Sequence, residues 1–369
     1  VPRIPTTAAK VPELFYDVLF TFVLSHITRA MVFPDFGEIV WLSFVKYIVV
    51  LAFFWLIWTH QVIYSSRYRE RPVVDNLFLT LNLFLTIYLS STFSLIGDDL
   101  TSTSKLFAAI LLLSVGCQYL LAWHEHEPLA EILAINLLIG SAIALLSLAA
   151  GTSVAGNVIF AIATGATALG PLVLRKKLTQ QSHFLNISNR LTIFTLFICA
   201  RATLQVTDSL NHIDIQSILF FGSTVLLLLS YLLIVASGIN QQTTKSSIYA
   251  LLVHFPLVTA ILLMSSVARL FIAGRILPWN FAAWTLVLLF IYTATLGIYL
   301  ALYRRSTVTW RPKRAFYFIF SFALFTLYGM VTVAIGPLFL AGLCAYLIAD
   351  DLFLWQFVLN DPANNDYEM

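Results

Sequence analysis

The chain has 369 residues, 60% apolar and only 11% charged, with a net charge of +3 and a mean hydropathy of +0.88. A soluble domain carries about 45–50% apolar and about 25% charged residues, so this composition excludes a water-soluble globule and requires contact with lipid. The small, dispersed charge gives no nucleic-acid footprint, and three scattered cysteines (Cys117, Cys199, Cys344) inside apolar runs form neither a zinc motif nor a disulfide framework; they read as small core residues.

A spanning helix needs about 20 mainly apolar residues. The first run, near 13–33, follows Arg3 and Lys10, but Glu13 and Asp17 interrupt its start and no clean small-x-small site follows. It therefore reads as a retained helix rather than a cleaved leader. Runs near 40–63, 75–97, 105–123, 129–150 and 154–174 complete a first set. A second set lies near 183–207, 215–238, 246–272, 279–303, 315–336 and 338–358. Pro34, Pro72, Gly97, Pro128, Gly151, Pro278, Pro312 and the Gly336-Pro337 pair punctuate them. The predicted fold is an all-α integral membrane protein of about twelve transmembrane helices.

Twelve spans put the termini and alternate loops on one face. That face holds Arg3, Lys10, Arg67, Arg69, Arg71, Arg175, Lys176, Lys177, Lys245, Arg304, Arg305, Arg311, Lys313 and Arg314, whereas the opposite loops hold Lys105 and Arg275. The basic excess marks the first face, and both termini, as cytoplasmic. Runs starting at 40, 75 and 105 recur near 215, 250 and 280, an offset of about 175 residues. Six spans per half is an even number, so the halves read as two parallel six-helix repeats. The expected organisation is a cytoplasmic segment over 1–12, a first repeat over 13–174, a basic linker over 175–182, a second repeat over 183–358 and a polar tail over 359–369.

Ionisable groups inside apolar runs carry the functional signal, because each costs at least about 2.5–3.5 kcal/mol in hydrocarbon. Glu13 and Asp17 stand four residues apart on one helical face, with Thr21 continuing the line. Helix-start dipoles also favour such charges. With Asp75, Glu131 and Asp350-Asp351 they form a predicted cytoplasmic-side acidic set that Arg67 and Arg190 could neutralise. His26 and Arg201 lie deeper, near the middle of their helices, and are separated by the repeat offset of 175 residues. Arg29 shares the face of His26, and Gln205 follows Arg201 by four. These four are the candidate midplane solute site, suited to an anion or a proton-coupled solute, since histidine titrates near neutrality and arginine stays charged. The bland alternative is that the histidine and arginine satisfy neighbouring helices. The run His124-Glu125-His126-Glu127 cannot converge on a metal if helical, and reads as loop polarity. The P-loop, G-x-G-x-x-G, G-x-S-x-G and H-E-x-x-H patterns are absent, and no cofactor is expected.

The stretch Glu13-Leu14-Phe15-Tyr16-Asp17-Val18-Leu19-Phe20-Thr21-Phe22, then Trp55-Leu56-Ile57-Trp58-Thr59, Tyr64, Arg67 and Asp75, resembles the first three helices of the bacterial low temperature requirement A family. His183-Phe184 with Asn189-Arg190 and the run to Arg201, and Tyr249 with His254-Phe255-Pro256-Leu257, are similar to two later motifs of that family. Asn189 stands where the family pattern has Glu, and Ala200-Arg201 where it has Gly-Glu. The resemblance implies a multi-pass protein of the bacterial plasma membrane and supplies no reaction. Three functions stay open: a secondary transporter of an unidentified small solute or ion; a membrane enzyme acting on lipid or lipid-linked substrate through Glu13, Asp17, Asp75 and His60; or a non-catalytic scaffold in low-temperature or stress response. The expected partners are the lipid bilayer and an unidentified small solute or ion, with no nucleic acid.

Overall fold

Every apolar run coincides with one helix in the computed structural model, which describes residues 11–359 apart from 32–33, 36–37, 40, 69–70, 94–100, 124–127, 174–180, 208–214, 244, 307 and 309–311. In chain order these are α1 (Val11–Met31), α2 (Trp41–Arg67), α3 (Pro72–Thr92), α4 (Ser102–Trp123), α5 (Pro128–Ala149) and α6 (Val154–Val173). Then follow α7 (Gln181–Thr207), α8 (Ile215–Leu233), α9 (Ile248–Ile272), α10 (Pro278–Tyr303), α11 (Pro312–Thr332) and α12 (Gly336–Phe353). Two π-helical turns, Ile234–Gly238 and Leu354–Leu359, extend α8 and α12. The basic residues Arg3, Lys10, Arg69, Arg175, Lys176, Lys177 and Arg311, the break at Gly97, the run 124–127 and the tail beyond Leu359 lie outside the described residues.

Helix starts follow backbone chemistry. Pro72 and Pro278 occupy the first turns of α3 and α10, where a missing N–H loses nothing. Gly151, at φ 59°, takes the left-handed turn after α5, and its N–H bonds Leu148 O at 2.9 Å.

Ten of the twelve helices are long and apolar enough to cross a membrane. The exceptions are α6, whose apolar stretch Val154–Ala168 is shorter, and α7, whose sequence carries Asn186, Ser188, Asn189, Arg190, Arg201 and Gln205. The outer surface is apolar: α11 alone presents Phe316, Ile319, Phe320, Leu324, Leu327 and Val331. Water would not tolerate such a face, whereas lipid does. The protein is a multi-pass, all-α membrane protein.

The chain divides into two compact units. The first comprises Val1–Phe33, Ile39–Phe194 and Thr244–Leu251. At its centre α2 is buried along most of its length, from Tyr47 to Tyr64. Helices α4, α5 and α6 pack in sequence, drawn close by small residues. A Cβ at Gly140 would stand 2.0 Å from Thr167 Cγ2, so only glycine permits that α5–α6 approach. Ser141 donates to Ala109 O at 2.8 Å and Asn136 to Ala166 O at 3.0 Å, tying α5 to both neighbours. Lys105, counted with the loops opposite the basic face, lies fully buried in the first turn of α4 and donates from Nζ to Gly151 O at 2.6 Å. A cation there answers the negative end of α5.

The second unit comprises Pro34–Glu38, Thr195–Thr243 and Leu252–Met369. In it α8 packs against α12 and α12 against α11. Gly342 admits the ring of Tyr328, which a Cβ would meet at 2.0 Å. Arg305 donates to Ile239 O (3.1 Å) and Ala236 O (2.9 Å), closing the π-helical end of α8 with a cation at its carbonyls. The three cysteines are free; Cys199 is buried, Cys117 and Cys344 half-buried.

Candidate functional site

The i, i+4 spacing of Glu13 and Asp17 delivers both carboxylates to one guanidinium. Arg190 of α7 clamps Asp17 with two hydrogen bonds, Nη2 to Oδ1 at 2.7 Å and Nε to Oδ2 at 3.0 Å. Glu13 Oε2 stands 3.8 Å from Nη1 of the same residue. Arg190 also donates to Ser65 Oγ at 2.5 Å, and Trp58 Nε1 donates to Asp17 Oδ1 at 2.8 Å. Asp17 is fully buried and Arg190 nearly so. The planar guanidinium meets a carboxylate through two parallel bonds, the geometry that best offsets charge desolvation. One turn after Arg190, Phe194 packs against Trp58 with centroids 4.3 Å apart and the rings tilted by 39°, placing aromatic carbon beside the pair.

The same unit carries a second, uncharged polar cluster. Asn82, ten residues into α3 and so about 15 Å from its start, is fully buried. Its Nδ2 donates to Gln61 Oε1 (3.3 Å) and Gln118 Oε1 (3.2 Å), while its Oδ1 accepts from Ser114 at 2.6 Å. Three helices thus share one buried amide. His60, also fully buried, places Nδ1 3.0 Å from Leu56 O, so that nitrogen carries the proton; Nε2 is then an acceptor with no partner among the described residues. Tyr119 donates to His60 O at 2.8 Å.

The other predicted residues fall in several places. Asp75 accepts from Tyr64 at 2.8 Å and from the backbone N–H of Arg71 at 3.0 Å, a helix-start arrangement that accounts for its charge locally. Arg67 sits 5.8 Å over the Tyr68 ring, not against Asp17 or Asp75. His26 is half-buried and Arg29 exposed, both in the first unit. Arg201, half-buried, and Gln205, buried, belong to the second unit, where Gln205 Nε2 donates to Ser266 Oγ at 2.6 Å. Also in the second unit, His254 Nε2 lies 3.0 Å from Tyr231 Oη and its ring stands edge-on to Tyr299. Asp350 accepts from Ser321 at 2.9 Å in that unit, separate from the carboxylates of α1.

Of the predicted cytoplasmic-side set, Glu13, Asp17 and Arg190 therefore meet. Trp58, Ser65, Gln61, Asn82, Ser114 and Gln118 are the participants that a search for charge overlooks. Their signal is polarity inside apolar runs, with Ser114 and Gln118 one turn apart on α4.

No curated protein and no solved structure matches the chain. A family model does: residues 8–349 match the bacterial low temperature requirement A protein (LtrA). That match covers the motifs of α1, α2, α3, α7 and α9, and the chain belongs to the LtrA family.

Proposed function

We propose that this protein is a secondary transporter, moving an unidentified small solute, anionic or proton-coupled, across the bacterial plasma membrane. In this reading all twelve helices span, both termini are cytoplasmic, and the halves are parallel repeats. The helix starts support the repeat: α2, α3 and α4 begin at 41, 72 and 102, and α8, α9 and α10 at 215, 248 and 278, an offset of 174 to 176 residues. The observation that carries the transport reading is the amide cluster of Gln61, Asn82 and Gln118, buried among membrane helices in a unit that also buries Asp17 and Arg190. A purely structural bundle gains little from such groups, because interhelical hydrogen bonds in membranes average only about 0.6 kcal/mol. Polar side chains within spans mark solute and proton paths instead.

The test needs no knowledge of the solute. Asn82→Cys, with Cys117, Cys199 and Cys344 replaced, is treated with a membrane-impermeant maleimide in sealed inside-out and right-side-out vesicles. Alternating access predicts labelling at this central position from at least one side. If only a permeant maleimide labels the folded protein, water never reaches Asn82 and the transport reading fails.

A further inference from the structure

The second unit holds an open-mouthed cavity of about 360 Å³ lined by α8, α10, α11 and α12. Asp350 and Asp351 line it side by side, 8% and 5% exposed. Asp350 accepts neutral hydrogen bonds from Ser321, to Oδ1 at 2.9 Å, and from the Tyr346 hydroxyl, and Asp351 Oδ1 accepts one from Ser230 at 2.6 Å. Asp351 Oδ2 is buried with no hydrogen-bond partner among the described residues, and no cation there stands against either carboxylate. The contrast with Asp17, clamped by Arg190, is direct. The remaining wall is mostly hydrocarbon and aromatic, including Phe290, Phe318, Phe322 and Tyr346. Phe290 and Ile319 line the cavity and are also exposed on the lipid-facing surface, so its mouth lies open to the bilayer.

Two carboxylates beside apolar carbon, with no cation against them among the described residues, leave a negative site for a ligand to match. A hard metal ion asks for six or more oxygen ligands, and among the described residues no third acidic, His or Cys side chain joins the pair. An organic cation asks for what is present: negative charge at one end, aromatic faces for its positive centre, and apolar volume within the range of small-molecule sites, about 300–1,000 Å³. We infer that this cavity binds a lipophilic organic cation, its ammonium or phosphonium centre held by Asp350 and Asp351 and its hydrocarbon body against the aromatic wall. The site stands independently of the transport reading, because it is tested by equilibrium binding without flux.

The probe is radiolabelled tetraphenylphosphonium, titrated onto the purified full-length protein in phosphatidylcholine nanodiscs. Tetraphenylborate, alike in shape and opposite in charge, is the control. The expected result is saturable binding of one cation per chain and none of the borate. Asp351→Asn should weaken binding at least about tenfold, and Asp350→Asn/Asp351→Asn should abolish it. Gly297→Leu provides a second route that leaves both carboxylates in place. Gly297 lines the cavity and a Cβ there meets open space, so leucine fills volume without a clash and should also abolish binding. Nanodiscs containing phosphatidylethanolamine distinguish the source: unchanged binding identifies a soluble cation, and competition identifies a membrane aminolipid. Equal binding of cation and borate, or wild-type affinity in folded Asp351→Asn and Gly297→Leu proteins, would overturn the inference.

Discussion

Replacing Arg190 with methionine keeps an unbranched apolar stem and removes the guanidinium with its charge. Asp17 would then remain fully buried with a single donor, Trp58 Nε1 at 2.8 Å, and Glu13 would lose its contact at 3.8 Å. Exposed ion pairs contribute about 0–1 kcal/mol, but removing one partner of a buried pair costs about 3–5 kcal/mol because a desolvated charge is left behind. With Arg190 only 3% exposed, the second regime applies. At about 1.4 kcal/mol per tenfold, the folded-to-unfolded ratio should fall more than a hundredfold. The assay is denaturant titration of purified protein in a mild detergent, followed by near-ultraviolet circular dichroism. Asp17→Leu alone should show a similar loss, since it leaves the buried guanidinium only Ser65 and the looser contact with Glu13. The double variant Asp17→Leu/Arg190→Met should regain most of the loss, because apolar replacement of a buried pair is often neutral. Losses below about 1 kcal/mol in both single variants, or a double variant no more stable than the worse single one, would refute the view that the pair is dry and mutually dependent.

Three further outcomes follow from the packing. Gly140→Val should destabilise by about 1–3 kcal/mol through its clash with Thr167, and a Thr167→Ala partner substitution should recover part of it in the same titration. Lys105→Met leaves Gly151 O without its donor at the end of α5, at a cost of about 1–3 kcal/mol, and faster hydrogen exchange at the α5–α6 junction should report it. Asn82→Leu strands Ser114, Gln61 and Gln118 together; its thermal stability should fall further than that of Ser114→Ala, which strands one acceptor.

Much of the architecture was legible because a bilayer imposes one length scale on the sequence. Proline and glycine then marked the ends where backbone chemistry favours them, as at Pro72, Gly151 and Pro278. The π-helical turns after α8 and α12 left no comparable mark, because apolar periodicity does not distinguish an i+5 from an i+4 backbone bond over five or six residues. The site was legible in part. Glu13 and Asp17 announced a shared face, and Arg190 stood out as a charge in an apolar run. Which cation would answer which anion was not legible: Arg67 and Arg190 were equal candidates by sequence, and tertiary packing gave the carboxylates to Arg190. Lys105 misled because a lysine at a helix start reads as interfacial, whereas its long stem reaches a buried carbonyl. Asn82 and Gln118 were passed over because neutral amides barely disturb a hydropathy window, yet their burial obliges them to find partners.

The charges of the two units differ in what they require of their surroundings. Asp17 and Arg190 satisfy one another within the first unit, bond for bond, and need nothing from outside to stay buried. Asp75 is answered by a tyrosine and a helix-start N–H, so it too is complete. Asp350 and Asp351 are not complete in this sense: among the described residues, two adjacent carboxylates share the wall of an apolar cavity with serine and tyrosine hydroxyls as their charge-free partners. Burial without a counter-charge is expensive wherever it occurs, and more so in lipid, where water cannot be recruited to offset it. A pair of that kind persists only if its charge is removed by a proton or balanced by something that enters. The cavity supplies the room for entry, and its aromatic lining selects what is both positive and greasy. The self-contained pair in α1 and α7 fixes the packing of its unit, while the pair in α12 is left for an entering cation to balance.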